Sequence, residues 1–287
     1  VTQSLDFPTA YTYRNKISKL ENNNAELMYK SERINLLLEA KQLCIELVYN
    51  NALLKEYKIR LENAEGIAAA YRKKLDSGDA NILESNKAEL NLVTLKNEIT
   101  RFEVERNTLL SGLRRLNGGK EITFDLTEYP TTNLAGSFQE WYSSAESKNP
   151  VLQYLRGEVE VSENQVKLNR SLALPKLSAG YSMEKVTGEK YQGVTLGISV
   201  PLWENKNKVK QAKAQAKASE RVLEDTKIQF YTNLQNLYDK AVKLQQTVAG
   251  YDSSLAGYNN AALLKKALDA GQISLLEYLM EIQYYYD

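Results

Sequence analysis

Lys73-Lys74-Leu75-Asp76-Ser77-Gly78, closed by Leu83-Glu84, returns 193 positions later as Lys266-Ala267-Leu268-Asp269-Ala270-Gly271, closed by Leu276-Glu277. The same shift carries Val1-Thr2 onto Val194-Thr195 and Pro8 onto Pro201. A repeat this long lies outside the period of roughly 20 to 50 residues that marks solenoids, and reads as a duplicated half. Each copy also has a local meaning. Glycine permits the left-handed conformation that ends a helix, and Asp79 or Asn81 can cap the helix that follows, so each copy reads as the tip of a helical hairpin.

Working outward from the first tip, residues 9–75 contain only Gly66 against helix, and apolar positions such as Ile17, Leu20, Leu27, Ile34, Leu38, Leu43, Leu47, Leu54 and Leu61 recur at about three, four and seven. At 1.5 Å per residue such a helix spans about 100 Å, so its partners must be other long helices. Residues 82–116 continue the pattern up to Asn117-Gly118-Gly119 and form the returning arm. Between 120 and 149 the composition shifts to Thr, Ser, Pro and aromatics, which predicts a short strand at Ile122-Thr123-Phe124-Asp125-Leu126, a loop, and a small helix around Trp141-Tyr142. Asn149-Pro150 starts a helix running to about Leu172. A second very long helix is expected over 205–269, weakened by Gly250 and Gly257, then the tip at Gly271 and the start of a return helix.

The clear hairpin lies at 176–200. In Leu177-Ser178-Ala179-Gly180-Tyr181-Ser182-Met183 the odd positions are apolar or aromatic; in Gly193-Val194-Thr195-Leu196-Gly197-Ile198-Ser199-Val200 the even ones are. Two unlike faces suit either a transmembrane barrel strand, with lipid on one side and water on the other, or a hairpin covering a soluble core. Through the repeat, Val1, Leu5 and Phe7 fall on one face of a strand and Thr2, Ser4 and Asp6 on the other. The chain is therefore expected to open inside a strand, with more than forty residues missing before it and more after it.

Composition removes most enzyme readings. Lys and Arg number 37 against 36 Asp and Glu, a net charge of +1, so nucleic acid is not an expected partner. There is no His and one Cys, which excludes His acid–base chemistry and His or thiolate metal sites; no cofactor, metal or catalytic residue is expected. Cys44 reads as a small buried side chain. No run of 18 apolar residues marks a membrane-spanning helix, and no signal peptide is visible, a feature that incomplete ends would hide.

The order helix, strand, turn, strand, Pro, very long helix, Gly tip, returning helix, written twice, resembles the TolC family of outer membrane efflux and secretion channels. The carriers are Asn149-Pro150, Leu174-Pro175-Lys176-Leu177-Ser178, Val200-Pro201-Leu202-Trp203 and the tips at Gly78 and Gly271. The halves fall at 1–116 and 149–287, with an equatorial segment at 117–148. The resemblance implies a mainly α fold with a small β part. It also implies a homotrimer in the outer membrane of a Gram-negative bacterium, in which strands form a twelve-stranded β-barrel and long antiparallel hairpins continue as a periplasmic α-barrel. The implied job is a passive exit duct that docks a periplasmic adaptor and an inner membrane RND or ABC pump.

By position, Asp76, Ser77, Gly78, Asp79, Asp269, Ala270, Gly271 and Gln272 are the implied docking tips, and Asp269 and Glu277 the candidate aperture gate. Asp79 and Gln272 depart from the apolar residue the family often has after the tip glycine. The competing reading of these acids is solvated helix ends. Tyr11, Tyr13 and Trp203 lie where strands meet helices, as an interfacial aromatic girdle or as ordinary packing. The lysines of 206–217 read as a solvated helix face rather than a lipid headgroup site. Two other architectures compete. A soluble coiled-coil scaffold leaves the matched strand–Pro–helix junctions unexplained, and an adaptor with a helical hairpin would carry a run of short strands that this chain lacks.

Overall fold

The computed structural model describes residues 1–287 apart from 132, 135, 204, 259 and 287. Three strands, β1 (Thr2–Leu5), β2 (Lys176–Val186) and β3 (Glu189–Ser199), accompany seven helices: α1 (Pro8–Ser77), α2 (Ile82–Leu116), α3 (Phe138–Lys148), α4 (Pro150–Ser171), α5 (Lys206–Tyr258), α6 (Ala261–Asp269) and α7 (Leu275–Tyr286). The chain divides into two compact units. One comprises Val1–Ile34 with Ala135–Lys240, the other Asn35–Leu134 with Ala241–Asp287.

In the first unit the strands form one antiparallel sheet in the order β1-β2-β3. α4 begins where Asn149 accepts hydrogen bonds from the amides of Val151 and Leu152, with Pro150 in the first turn. α1 lies against α4 through Ala10, Ile17 and Leu168. At Gly157 the approach is closest: a Cβ there would stand 2.0 Å from Oδ1 of buried Asn24, whose Nδ2 donates to Glu158 Oε1 at 2.7 Å. Gly157→Ala is expected to destabilise the protein by about 1–3 kcal/mol by overpacking this contact, measured as a fall in denaturation midpoint. α3 is fixed to α5 by aromatic packing of Phe138 and Tyr142 on Tyr231, and by Lys227, which meets Glu146 at 2.8 Å.

The second unit departs from three expectations. Residues 122–126 form no strand. Their Ile122 and Phe124 pack on Leu47, Leu109 and Leu113, while the carbonyls of Phe124 and Leu126 accept from Asn51 Nδ2 at 3.1 Å each, and Arg106 Nη2 donates to the Phe124 carbonyl at 3.2 Å. Side chains thus take the place of a strand ladder. The helix expected over 205–269 is two, α5 and α6: the Asn260 side chain makes no capping bond to α6, and Gly250 and Gly257, which add no packing, lower helix propensity by about 1 kcal/mol each. Cys44 is half-buried beside the Leu47 cluster rather than fully enclosed.

Candidate functional site

The hairpin tips lie in the second unit and share a hydrogen-bond scheme. At the first, Gly78 (φ +82°) donates to the Leu75 carbonyl at 3.1 Å and Asp79 N–H to that of Lys74 at 2.7 Å; at the second, Gly271 (φ +68°) donates to Leu268 at 3.0 Å and Gln272 to Ala267 at 2.9 Å. Every donor and acceptor of the first pair recurs 193 positions later. Positive φ explains the glycines, because a Cβ would strain that backbone. Asp76, Ser77, Gly78 and Asp79 are exposed, as are Asp269, Ala270, Gly271 and Gln272. The Ser77 hydroxyl donates to Asp79 Oδ2 at 2.7 Å, so that aspartate serves its own turn.

Past each tip a capping box starts the return helix. Asn81 N–H donates to Glu84 Oε2 at 3.1 Å and Glu84 N–H to Asn81 Oδ1 at 3.0 Å. Ser274 and Glu277 repeat the exchange at 2.7 and 3.2 Å. Glu277, a candidate gate residue, is therefore committed to helix α7, and the Ser274 amide and hydroxyl hold its carboxyl below the usual carboxylate range. The Asp269 carboxylate makes no hydrogen bond or ion pair among the described residues. Of the two cap candidates before α2, Asn81 is the cap, and the Asn-x-x-Glu and Ser-x-x-Glu spacings are the sequence signals of the two boxes.

Beneath the tips, Ala64, Ala68, Tyr71, Ala88 and Leu92 share one buried cluster with Leu268, Leu275, Tyr278 and Ile282. The alanines leave room for the two hairpins to pack closely. Burial pushes the Tyr71 and Tyr278 phenols up, so both are neutral. Leu83 and Leu276 stand outside this core, 74% and 45% exposed, one turn from the tips. The sequence signal for them is a leucine at the same place after each reversing turn.

In the first unit the sheet register sets the faces. Leu177 pairs with Ile198, Ala179 with Leu196 and Tyr181 with Val194, and Leu5 pairs with Leu177 from the other side. This apolar face is the open one: Val194, Leu196 and Ile198 are 77%, 79% and 71% exposed. The opposite face carries Ser178, Gly180, Gly197 and Thr195, with close cross-strand approaches at two glycines: a Cβ on Gly197 would stand 2.6 Å from Ser178 Oγ and one on Gly180 2.7 Å from Thr2 Oγ1. Trp203 is 80% exposed at the end of the sheet. Tyr11 is exposed, accepts from the Asp6 amide at 3.3 Å and carries the Arg14 guanidinium over its ring; Tyr13 instead packs on the Ala10–Ile17–Leu168 cluster. Among the described residues no acidic, Cys or His group could hold a metal ion, and no helix is long and apolar enough to cross a membrane.

A sheet that exposes its apolar face, joined to very long helices with paired glycine tips, defines the class of outer membrane channels built from a β part and an α-helical part. Residues 141–280 match the family model described as outer membrane efflux protein. By fold the chain is similar to the Campylobacter jejuni CmeC outer membrane channel (TM-score 0.77, 19% identity, covering 98% of this chain and 64% of that one) and to the Vibrio cholerae outer membrane protein VceC (0.80, 14%, 97% and 70%). It is also similar to a membrane protein from Pseudomonas aeruginosa (0.77, 17%, 97% and 69%). The chain thus spans about two thirds of the length of these proteins. None of the curated proteins matches it. By the family model over residues 141–280 and by fold over nearly its whole length, the chain is similar to the TolC-like outer membrane efflux proteins.

Proposed function

We propose that this chain is the outer membrane exit duct of a tripartite efflux or type I secretion system, through which cargo passes without energy input from the duct itself. Three copies each give four strands to a twelve-stranded barrel, and the helices continue as an α-barrel in the periplasm of a Gram-negative bacterium. The chain is two copies of one architectural unit, 1–116 and 149–287, linked by the equatorial segment 117–148. Its partners are two further copies, outer membrane lipid, a periplasmic adaptor and an inner membrane RND or ABC transporter.

The observation that carries this reading is the open apolar face of the sheet, which leaves small and polar residues to the other. A hairpin covering a soluble core would have the reverse, while lipid outside and water inside require this arrangement. Exposed apolar residues on the helices, among them Leu37 and Leu38 of α1 and Leu90 and Val93 of α2, supply surface for neighbouring copies. Electron microscopy of the detergent-solubilised protein is expected to give a threefold particle with a hollow axis; a monomer soluble without detergent overturns the reading.

The tips Asp76 to Asp79 and Asp269 to Gln272 are the docking surface for the adaptor, with Leu83 and Leu276 adding apolar contact. The free Asp269 carboxylates form a ring that disfavours anions at the closed aperture. Asp269→Ala is expected to raise the ion conductance of the closed trimer several-fold in planar bilayers. Unchanged conductance removes Asp269 from the constriction.

A further inference from the structure

The β2–β3 turn sorts its charges by face. Thr187 (φ 46°) and Gly188 (φ 94°) make a two-residue turn that fixes the register, so Lys185 stands directly opposite Lys190, Met183 opposite Gln192 and Glu184 opposite Tyr191. Alternation puts both lysines on the open apolar side with Leu177, Tyr181, Val194 and Ile198, and both acids, Glu184 and Glu189, on the other. Like charges directly opposed across an antiparallel pair are destabilising, and here the neighbouring acids point away from them. Neither lysine makes an ion pair or hydrogen bond among the described residues. Such a pair lacks only an anion.

We propose that Lys185 and Lys190 clamp the headgroup phosphate of an anionic membrane lipid. This rests on the reading of the sheet as membrane-spanning. From Leu177 to Lys185 the strand advances about 27 Å, or about 20 Å of height at the tilt of a transmembrane barrel, close to the thickness of an outer membrane apolar band. The lysines therefore sit at the level where headgroups begin, with the Tyr181 hydroxyl and Gln192 Oε1, 2.8 Å apart, as a polar collar just inside. A lipid is favoured over free phosphate because its chains would cover the exposed Leu196 and Val194 surface below the clamp.

The test uses the full chain in detergent, wild type and the double variant Lys185→Gln/Lys190→Gln, with phosphatidylglycerol, phosphatidylcholine or inorganic phosphate added and bound lipid read by native mass spectrometry. Wild type is expected to retain phosphatidylglycerol over phosphatidylcholine, the double variant to lose on the order of thirtyfold of that affinity, and inorganic phosphate not to compete. Glu184→Gln/Glu189→Gln, on the other face, is expected to retain the lipid. Equal phosphatidylglycerol retention by wild type and the lysine variant, or displacement by inorganic phosphate, overturns the clamp. Bilayer insertion of the same samples separates the two ideas: insertion with unchanged lipid retention rejects the clamp alone, whereas wild type that fails to insert rejects the barrel and the clamp with it.

Discussion

Leu196→Arg is expected to abolish assembly of the channel in the outer membrane while leaving the helices folded. Leu196 is opposite Ala179 in the middle of the apolar face and 79% exposed on the chain. If that face meets lipid, an arginine near the bilayer midplane costs about 2–4 kcal/mol per copy. If the same face met water, exchanging an exposed leucine for arginine would change stability by no more than about 0.5 kcal/mol and would improve solubility. The two environments thus predict opposite outcomes for one substitution. Gln192→Arg is the companion measurement: Gln192 lies on the same face, level with Met183 and next to the lysine pair, where the penalty falls to about 0–1 kcal/mol. Yield of the protein in the outer membrane fraction should drop steeply for Leu196→Arg and hardly for Gln192→Arg. Wild-type yield from Leu196→Arg would mean that the sheet does not face hydrocarbon.

Arg106→Ala is expected to lower stability by about 2–4 kcal/mol and to release residues 120–126 from the helical hairpin. Arg106 donates through Nε to Asn51 Oδ1 at 2.9 Å, and through Nη2 to the Phe124 carbonyl at 3.2 Å and Asp125 Oδ1 at 2.7 Å. Asn51 is buried, so its Oδ1 would lose its partner in a place water reaches poorly. Ile122 and Phe124 would then be held by apolar contact and by the Asn51 amide alone. Limited trypsin digestion should gain cleavage at Lys120, and the thermal transition should move down. Arg106→Lys should recover only part of the loss, because an ammonium group cannot reproduce the fork. Asp125→Ala should do little, since that carboxylate is 82% exposed and its ion pair is screened by water. A variant Arg106→Ala that melts and digests like wild type would show that the segment is held by Ile122 and Phe124.

The tips and the sheet were legible because each is dictated by local chemistry. A glycine that must adopt positive φ, an Asn-Pro pair that opens a helix, and an alternation of period two each declare themselves within a few residues, and α2 and the hairpin strands fall where these signals put them. The strand expected at 122–126 had the same alternation, with Ile122 and Phe124 inward, and still did not become a strand. Its carbonyl partners, Asn51 and Arg106, lie about 70 and 20 residues away in sequence, and nothing near 122 announces them. The place of Glu277 beside the tip is visible in the sequence, whereas its hydrogen bonds to Ser274 at the start of α7 are visible only in the structure. For Tyr11 and Tyr13 the sequence leaves girdle and packing open, and the contact of Tyr13 with the Ala10–Ile17–Leu168 cluster depends on α4, about 150 residues away.

By itself the sequence determined the long helices on either side of the first tip, the two glycine reversals, the face pattern of the strands and the absence of histidine chemistry, because periodicity and backbone restriction act over short distances. Which face of the sheet stays open, which side chains satisfy the carbonyls of the equatorial segment and which acids the tips tie down were decided only by the tertiary structure. Those outcomes depend on what the rest of the chain brings alongside, and residues far apart in sequence compete for the same surface and the same hydrogen bonds.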